Sequence, residues 1–303
     1  VQEKFLESER KIFGRLLLSR MQLGIRYETT YNYAAPVRFS RHALRLIPRG
    51  DVFTQLLRWK FQTNEGARVR FARDAFDNCV IDCSYTEPAC ELRFALELDL
   101  ALQKKNPFDF ILTPAATTLP FAYAPELEIA LAPFRTNGLT NRLQLPSWEI
   151  PRADTSRETV ATLVELNERL HECVRYERRE EGAARSPNDT LRLGKGACRD
   201  IALLLAAILQ QAGLAARLTS GYLREAEAES RRAEGSLHAW TEVYLPGAGW
   251  VGMDPTNGIF CNHNFIAAAV GITPADVTPI DGSYYQRGPA SAHMTTRLEL
   301  VAL

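Results

Sequence analysis

Cys198 stands in the stretch Gly194-Lys195-Gly196-Ala197-Cys198-Arg199-Asp200, followed at once by the aliphatic run of residues 201–205. A glycine-punctuated loop that turns into an apolar helix sets this thiol at a helix N-terminus. There the first four backbone N–H groups lack intrahelical partners, and the helix dipole adds about half a positive charge. A thiolate is stabilised in that place, and a cysteine pKa can fall from about 8.5 to between about 3.5 and 7.5. The same N–H groups can hold a developing oxyanion. This is the chemistry of a nucleophile, and a nucleophile needs a base and a group that orients the base.

The chain has five histidines. His171 falls in a helical pattern and His263 in a loop-like context, while His42 and His293 have no distinctive setting. His238 opens the alternating run HAWTEVYL, which places it on one strand face with Trp240, Glu242 and Tyr244. The carboxylate candidate is Asp254, which ends WVGMD just before Pro255. Register decides whether the two can meet. Pairing Leu245 with Trp250 sends His238 and Asp254 to opposite faces. Pairing Tyr244 with Trp250 makes them same-face diagonal neighbours, about 7–8 Å apart at the backbone. A working site therefore predicts the second register.

Taken singly, each residue has a plainer reading. Cys198 is then a buried thiol, His238 a hydrogen-bonded strand residue, and Asp254 a turn former. Their joint placement favours catalysis. Gly196 lacks a Cβ and leaves room for a substrate backbone. Arg199 is a candidate for a substrate carboxylate, against a solvated charge, and Trp240 for a cleft wall, against core packing, as is Trp250. Asp200 falls in the first helical turn, where a carboxylate is structural. Beyond the Cys198 N–H no oxyanion donor is singled out, although Asn188 lies upstream.

The elements that carry these residues form two units. Lys+Arg and Asp+Glu are both 36 among 303 residues, so no overall field recruits nucleic acid or an anionic membrane. No apolar run reaches the length of a bilayer span. Residues 1–20 read as an extension before an organised stretch that opens at Met21; truncation to Met21 is expected to leave solubility unchanged, and insoluble product would refute this. The opening has no apolar signal core, so the six cysteines are expected as reduced thiols in a cytoplasmic protein. Cys79, Cys83 and Cys90 lack zinc-site spacing. GKGAC lacks the P-loop spacing, and no EF-hand loop is present. Neither metal nor cofactor is expected.

Short alternating runs with turn residues between them fill residues 23–102, as in LGIRYETTYNY and ELRFALELDLAL, and predict a β-sandwich or barrel-like unit. A proline-rich stretch over residues 105–128 reads as an irregular connection. Helical periodicity follows: Thr155 and Glu158 form a T-x-x-E capping box, with a helix to about Tyr176. A charged loop leads to a second helix, about Cys198 to Gln211, closed by Gly213. The strands LAARLTSGYL, LHAWTEVYL and WVGMD come next, with a charged loop over 224–236 that is a candidate lid before His238. The units are 21–145, β-rich, and 146–303, an α+β catalytic domain with C-terminal strands.

GACRD, HAWTEVYLPGAGWVGMDPTNG and the order Cys–His–Asp resemble the transglutaminase-like superfamily, most closely bacterial members described as cysteine-protease-like. IRYETTYNYAAPVRFSRHALRLIPR is similar to that group's β-rich N-terminal region, and AAAVGITPADVTPIDGSYY to its C-terminal stretch. The resemblance implies a papain-like α+β core with Cys198 as nucleophile, His238 as base and Asp254 as its orienting partner. Arg199 and Ile201 replace the glutamine and aromatic more usual after the cysteine. Ile272 and Thr273 replace the arginine–aspartate pair usual after the Val-Gly step. The expected activity is cleavage of an amide bond in a peptide or protein through an acyl-enzyme. Transfer to an amine, a thioester-using acyltransferase and a non-catalytic peptide-binding module on the same fold remain open.

Overall fold

A computed structural model describes residues 21–135, 143, 156–179, 182–224, 232–233, 236–285 and 292–303. Residues 1–20, Thr155 and most of the charged run before His238 lie outside these, so the expected extension, the threonine of the capping box and the lid are not described. The protein is α+β: an antiparallel β-sandwich followed by a core of helices packed on an antiparallel sheet.

The sandwich uses β1 (Met21–Phe39), β2 (His42–Leu44), β3 (Thr54–Thr63), β4 (Arg68–Arg73), β5 (Cys79–Ser84) and β6 (Ala89–Leu102). One sheet centres on β1 and β6, paired from Met21↔Leu102 to Asn32↔Glu91, with β3 on the far side of β6. The other runs from Ile280–Asp281 through β2 and β5 to β4. Alternation drives this arrangement. In β6, residues 92, 94, 96, 98 and 100 face inward and are all buried, while 91, 93, 95, 97 and 99 between and before them meet solvent. Leu23, Ile25, Leu44, Ile81 and Leu96 fill the space between the sheets.

The second unit contributes helices α1 (Pro125–Arg135), α2 (Thr159–Cys173), α3 (Pro187–Leu193) and α4 (Cys198–Gln211). Between them lie the two-residue strands β7 (Arg175–Tyr176) and β8 (Lys195–Gly196). Its sheet contains β9 (Ala216–Leu223), β10 (Ser236–Leu245), β11 (Gly249–Asp254) and β12 (Phe265–Gly271), in the order β11-β10-β9-β12 with Ile259–Phe260 beside β11. α4 packs its aliphatic face on β9 and β10.

Four local expectations change. The connection after the sandwich is not irregular throughout: α1 starts on Pro125, with Glu126 and Glu128 in its first turn, as the positive end of a helix favours. The charged loop contains α3, capped by Ser186, whose Oγ accepts the Asp189 N–H at 3.1 Å. α2 stops at Cys173, because Arg175 and Tyr176 leave it to pair with Lys195 and Gly196. Glu158 is itself the N-cap of α2, its carboxylate accepting the Val160 and Ala161 N–H groups.

The C-terminal strands depart furthest from the expected division. β13 (Ala292–Ala302) does not extend the sheet of the second unit but pairs with β1 from Leu23↔Ala302 to Tyr33↔Ala292. Tyr284–Tyr285 also pairs with β1 and Ile280–Asp281 with β2. The chain therefore passes from sandwich to α+β core and back. Asn78 joins the two units: its fully buried amide donates to the Val270 carbonyl at 2.7 Å and accepts the Val270 N–H at 2.9 Å. A side chain thereby satisfies main-chain groups of β12 that no neighbouring strand reaches. The Tyr222 hydroxyl makes a second tie, donating to the Leu46 carbonyl at 2.7 Å.

Candidate active site

Cys198 is the first residue of α4, behind the N-cap Ala197. Asp200 holds this start in place. Its carboxylate is fully buried and accepts the Ala197 N–H at 2.9 Å, the Arg185 N–H at 2.8 Å and the Arg179 guanidinium at 2.8 Å. It closes the cap and anchors the preceding loop in one contact set. Gly196 is buried, and a Cβ there would meet Asp200 Cβ at 2.9 Å and Thr190 Cγ2 at 3.2 Å. The space left by its missing side chain is filled by Asp200 and Thr190. At the other end, Gly213 has φ +86°. Leu214 N–H donates to Leu209 and Gly213 N–H to Gln210, the paired closure of a Schellman turn.

The hairpin adopts the register that lets His238 meet Asp254. Tyr244 pairs with Trp250 and Thr241 with Met253, which brings His238 and Asp254 to one face. His238 Nε2 lies 2.9 Å from Asp254 Oδ2, leaving Nδ1 for the Cys198 thiol, to which the ring is also hydrogen-bonded. The Thr241 hydroxyl donates to the Ala202 carbonyl at 2.7 Å, locking β10 against α4 and so His238 against Cys198.

Asp254 is fully buried and held from several sides. Its Oδ1 accepts the Thr256 N–H at 3.0 Å, and its Oδ2 accepts the Asn257 side-chain amide at 2.6 Å. From α2, Asn167 donates to the Asp254 and Ile259 carbonyls at 3.3 and 3.1 Å, and His171 Nδ1 donates to the Thr256 carbonyl at 2.8 Å. Asn167 and His171 are four residues apart and share a helix face, so α2 grips the loop that carries the carboxylate. Sequence reading passed over Asn167; its one signal is an amide on the apolar face of an amphipathic helix.

The electrostatics follow from this geometry. Burial pushes the Cys198 thiol up, but the hydrogen bond and charge of His238, with the Ala239 and Arg199 main-chain N–H groups, outweigh it and hold the thiol below its ordinary value. Burial pushes His238 down, but the hydrogen bonds and charges of Asp254 and Cys198 reverse this, and it is pushed up to about 10. Both directions favour a thiolate–imidazolium pair, which titrates as a unit.

The remaining candidates stand as follows. Arg199 donates to the Arg179 and Gly182 carbonyls at 2.7 and 3.0 Å. Trp240 is buried, packed on Phe265 with ring centroids 5.4 Å apart and stacked near His238. Trp250 lies at the far end of the hairpin, under Arg217 and against Phe134. Asn188 is exposed on α3. One neighbour of the thiol was missed: Tyr176, whose hydroxyl is raised by burial and then by the Cys198 charge. It lies 22 residues before Cys198 in the chain, and only the β7–β8 pairing brings it back.

A thiol on a helix N-terminus, linked through a histidine to a buried aspartate on a packed antiparallel sheet, defines a papain-like core. Residues 150–255 match the transglutaminase-like superfamily, and residues 23–100 the bacterial transglutaminase-like N-terminal region. The chain thus joins a transglutaminase-like core to a bacterial transglutaminase-like N-terminal region, matches that support a thiol-dependent enzyme family. An uncharacterized protein of Mycobacterium tuberculosis is 26% identical over 277 residues, covering 86% of this chain and 87% of that protein. YebA of Bacillus subtilis is 34% identical over 71 residues, 21% of this chain and 10% of YebA. A crystal structure from Cytophaga hutchinsonii, described as a "Putative Cysteine Protease", shares the fold with a TM-score of 0.66 at 15% identity, over 94% of this chain and 91% of that one. Among the described residues no helix is long and apolar enough to cross a membrane.

Proposed function

We propose that the protein hydrolyses amide bonds in peptides or proteins through a Cys198 acyl-enzyme. The observation that carries this reading is the single imidazole, His238, hydrogen-bonded to Cys198 on one side and to buried Asp254 on the other. The Cys198 thiolate attacks the scissile carbonyl carbon. The Cys198 N–H, at the positive end of α4, takes up the charge that develops on the carbonyl oxygen. The His238 imidazolium gives its proton to the departing amine as the C–N bond breaks. Neutral His238 then takes a proton from water, whose oxygen attacks the thioester; release of the acid restores the thiolate–imidazolium pair. Asp254 keeps the ring oriented and stabilises its charged form.

Alkylation of Cys198 by iodoacetamide, followed by mass spectrometry across pH, tests this. At pH 6 an ordinary thiol is less than about 1% thiolate. The wild type is expected to label rapidly there, and His238→Ala at least tenfold more slowly. Labelling that rises only near pH 8.5, alike in both proteins, would remove the catalytic reading and leave a peptide-binding module. Adding a primary amine during peptide cleavage then separates hydrolysis from transfer.

A further inference from the structure

One side of the sandwich is closed by two aromatic rings rather than by a strand. β3 and β4 each end their sheet, and among the described residues no strand pairs with the outer edge of either. Trp59 lies opposite Leu98 and Phe71 opposite Ile81, and both partners are fully buried. Directly opposed residues share a face, so Trp59 and Phe71 belong to the rows that point between the sheets. Yet they are 44% and 50% exposed. The rings meet each other with centroids 4.9 Å apart. Leu57, where the register of β3 shifts, adds a third exposed apolar side chain. The cations around this seam exceed the carboxylates. Residues 54–73 hold five cations and one carboxylate, Glu65, in the turn between the strands. Arg26, Arg58 and Lys60 share Glu97 and Asp99. Arg70 lies opposite Asp82, but Asp82 is held by Arg41 at 2.7 Å; Arg68 lies opposite Ser84. Both arginines are exposed, and among the described residues neither has an ion-pair partner.

We infer that the edge of β4 docks an extended acidic segment of another protein, which adds a strand there and covers the Trp59–Phe71 seam. The period of two along a strand makes the match specific. A strand laid on β4 sets alternate side chains beside the row of Val69 and Phe71, facing Trp59, and the others beside the row of Arg68 and Arg70. Apolar residues alternating with carboxylates satisfy both rows, and main-chain hydrogen bonds supply the rest of the affinity. A second copy of this chain does not fit: pairing β4 with β4 opposes arginine to arginine, and like charges on an edge repel a matching strand. Nor does a nucleic acid strand, because Asp82, Glu97 and Asp99 lie among the cations and the two rings meet each other instead of standing free to stack on bases. The inference goes beyond the amide-bond reading and holds whatever the thiol does.

The test measures fluorescence anisotropy of labelled peptides on the full chain carrying Cys198→Ala, so that no probe is cut. The probes are a peptide alternating Glu with Val and Phe, its counterpart with Lys for every Glu, its counterpart with Ser for every apolar residue, and a short oligo-dT. The acidic apolar peptide is expected to bind at least about tenfold more tightly than each of the other three. Arg68→Glu with Arg70→Glu, both exposed and unpaired, should leave the fold intact and reverse the order of the Glu and Lys peptides. Trp59→Ala should weaken the acidic peptide about tenfold or more, as loss of a central aromatic anchor does. Hydrogen exchange should slow in β4 when the peptide binds. Equal binding of the Glu and Lys peptides, tighter binding of oligo-dT, or an affinity unchanged by the double arginine variant would overturn the inference. So would a dimer of the free protein that Trp59→Ala dissociates, since a second copy would then be the occupant.

Discussion

Asp254→Asn is expected to lower kcat/KM for peptide hydrolysis by about 10³- to 10⁴-fold, the scale on which a triad loses function when its carboxylate becomes an amide. Asp254 accepts from three groups: the His238 ring, the Thr256 N–H and the Asn257 amide. An asparagine has one acceptor oxygen, so its NH₂ must face one of those donors. The carboxylate is also a leading cause of the upward push on His238. Activity should rise with pH as Cys198, held below its ordinary value, loses its proton. It should fall as pH passes about 10, where the imidazolium loses its own. Without the Asp254 charge the alkaline limb should move down toward the ordinary histidine value of about 6.5. A pH–rate profile checks both effects. A loss below tenfold with an unmoved alkaline limb would show that Asp254 is only a turn former.

Asp200→Ala is expected to destabilise the fold by about 3 kcal/mol, as when one partner of a buried, hydrogen-bonded ion pair is removed. The substitution leaves the Ala197 and Arg185 N–H groups and the Arg179 guanidinium without their shared acceptor. It also opens a void beside Gly196, which has no side chain to fill it. Urea unfolding at fixed pH measures the loss. Cys198 alkylation should slow as well, because the cap that holds the first turn of α4 is gone. A change under 1 kcal/mol would mean that the loop of residues 177–197 is anchored elsewhere.

The two predictions separate kinds of knowledge. The placement of Cys198, His238 and Asp254 was legible as a pattern because each depends on local rules: a helix start after a glycine loop, a period of two along a strand, a register set by a short turn. The pairing of Tyr244 with Trp250 could be argued before any coordinates, since the alternative would send His238 and Asp254 to opposite faces. The α4 boundaries and the Gly213 closure are equally local, set by periodicity and by a backbone angle that glycine adopts without strain. Proline hid α1 and α3 from the same reasoning: it marks both a loop and the first turn of a helix, and only neighbouring acids and a serine cap distinguish them.

Contacts between distant segments obey no such local rule. Nothing in the sequence around Asn167 says that its amide will reach the Asp254 and Ile259 carbonyls, because that depends on where α2 docks. Tyr176 reads as the end of a helix until its pairing with Gly196 returns it to the thiol. The strand at 292–302 is recognisable by its alternation, yet alternation does not name a partner; β1 was found by burying Leu300 and by completing a sheet edge. The sequence alone determined which residues could do chemistry and the local geometry that aims them. Tertiary packing decided what holds them and what lies beside them, because burial and hydrogen-bond satisfaction are settled between segments that only the folded chain brings together.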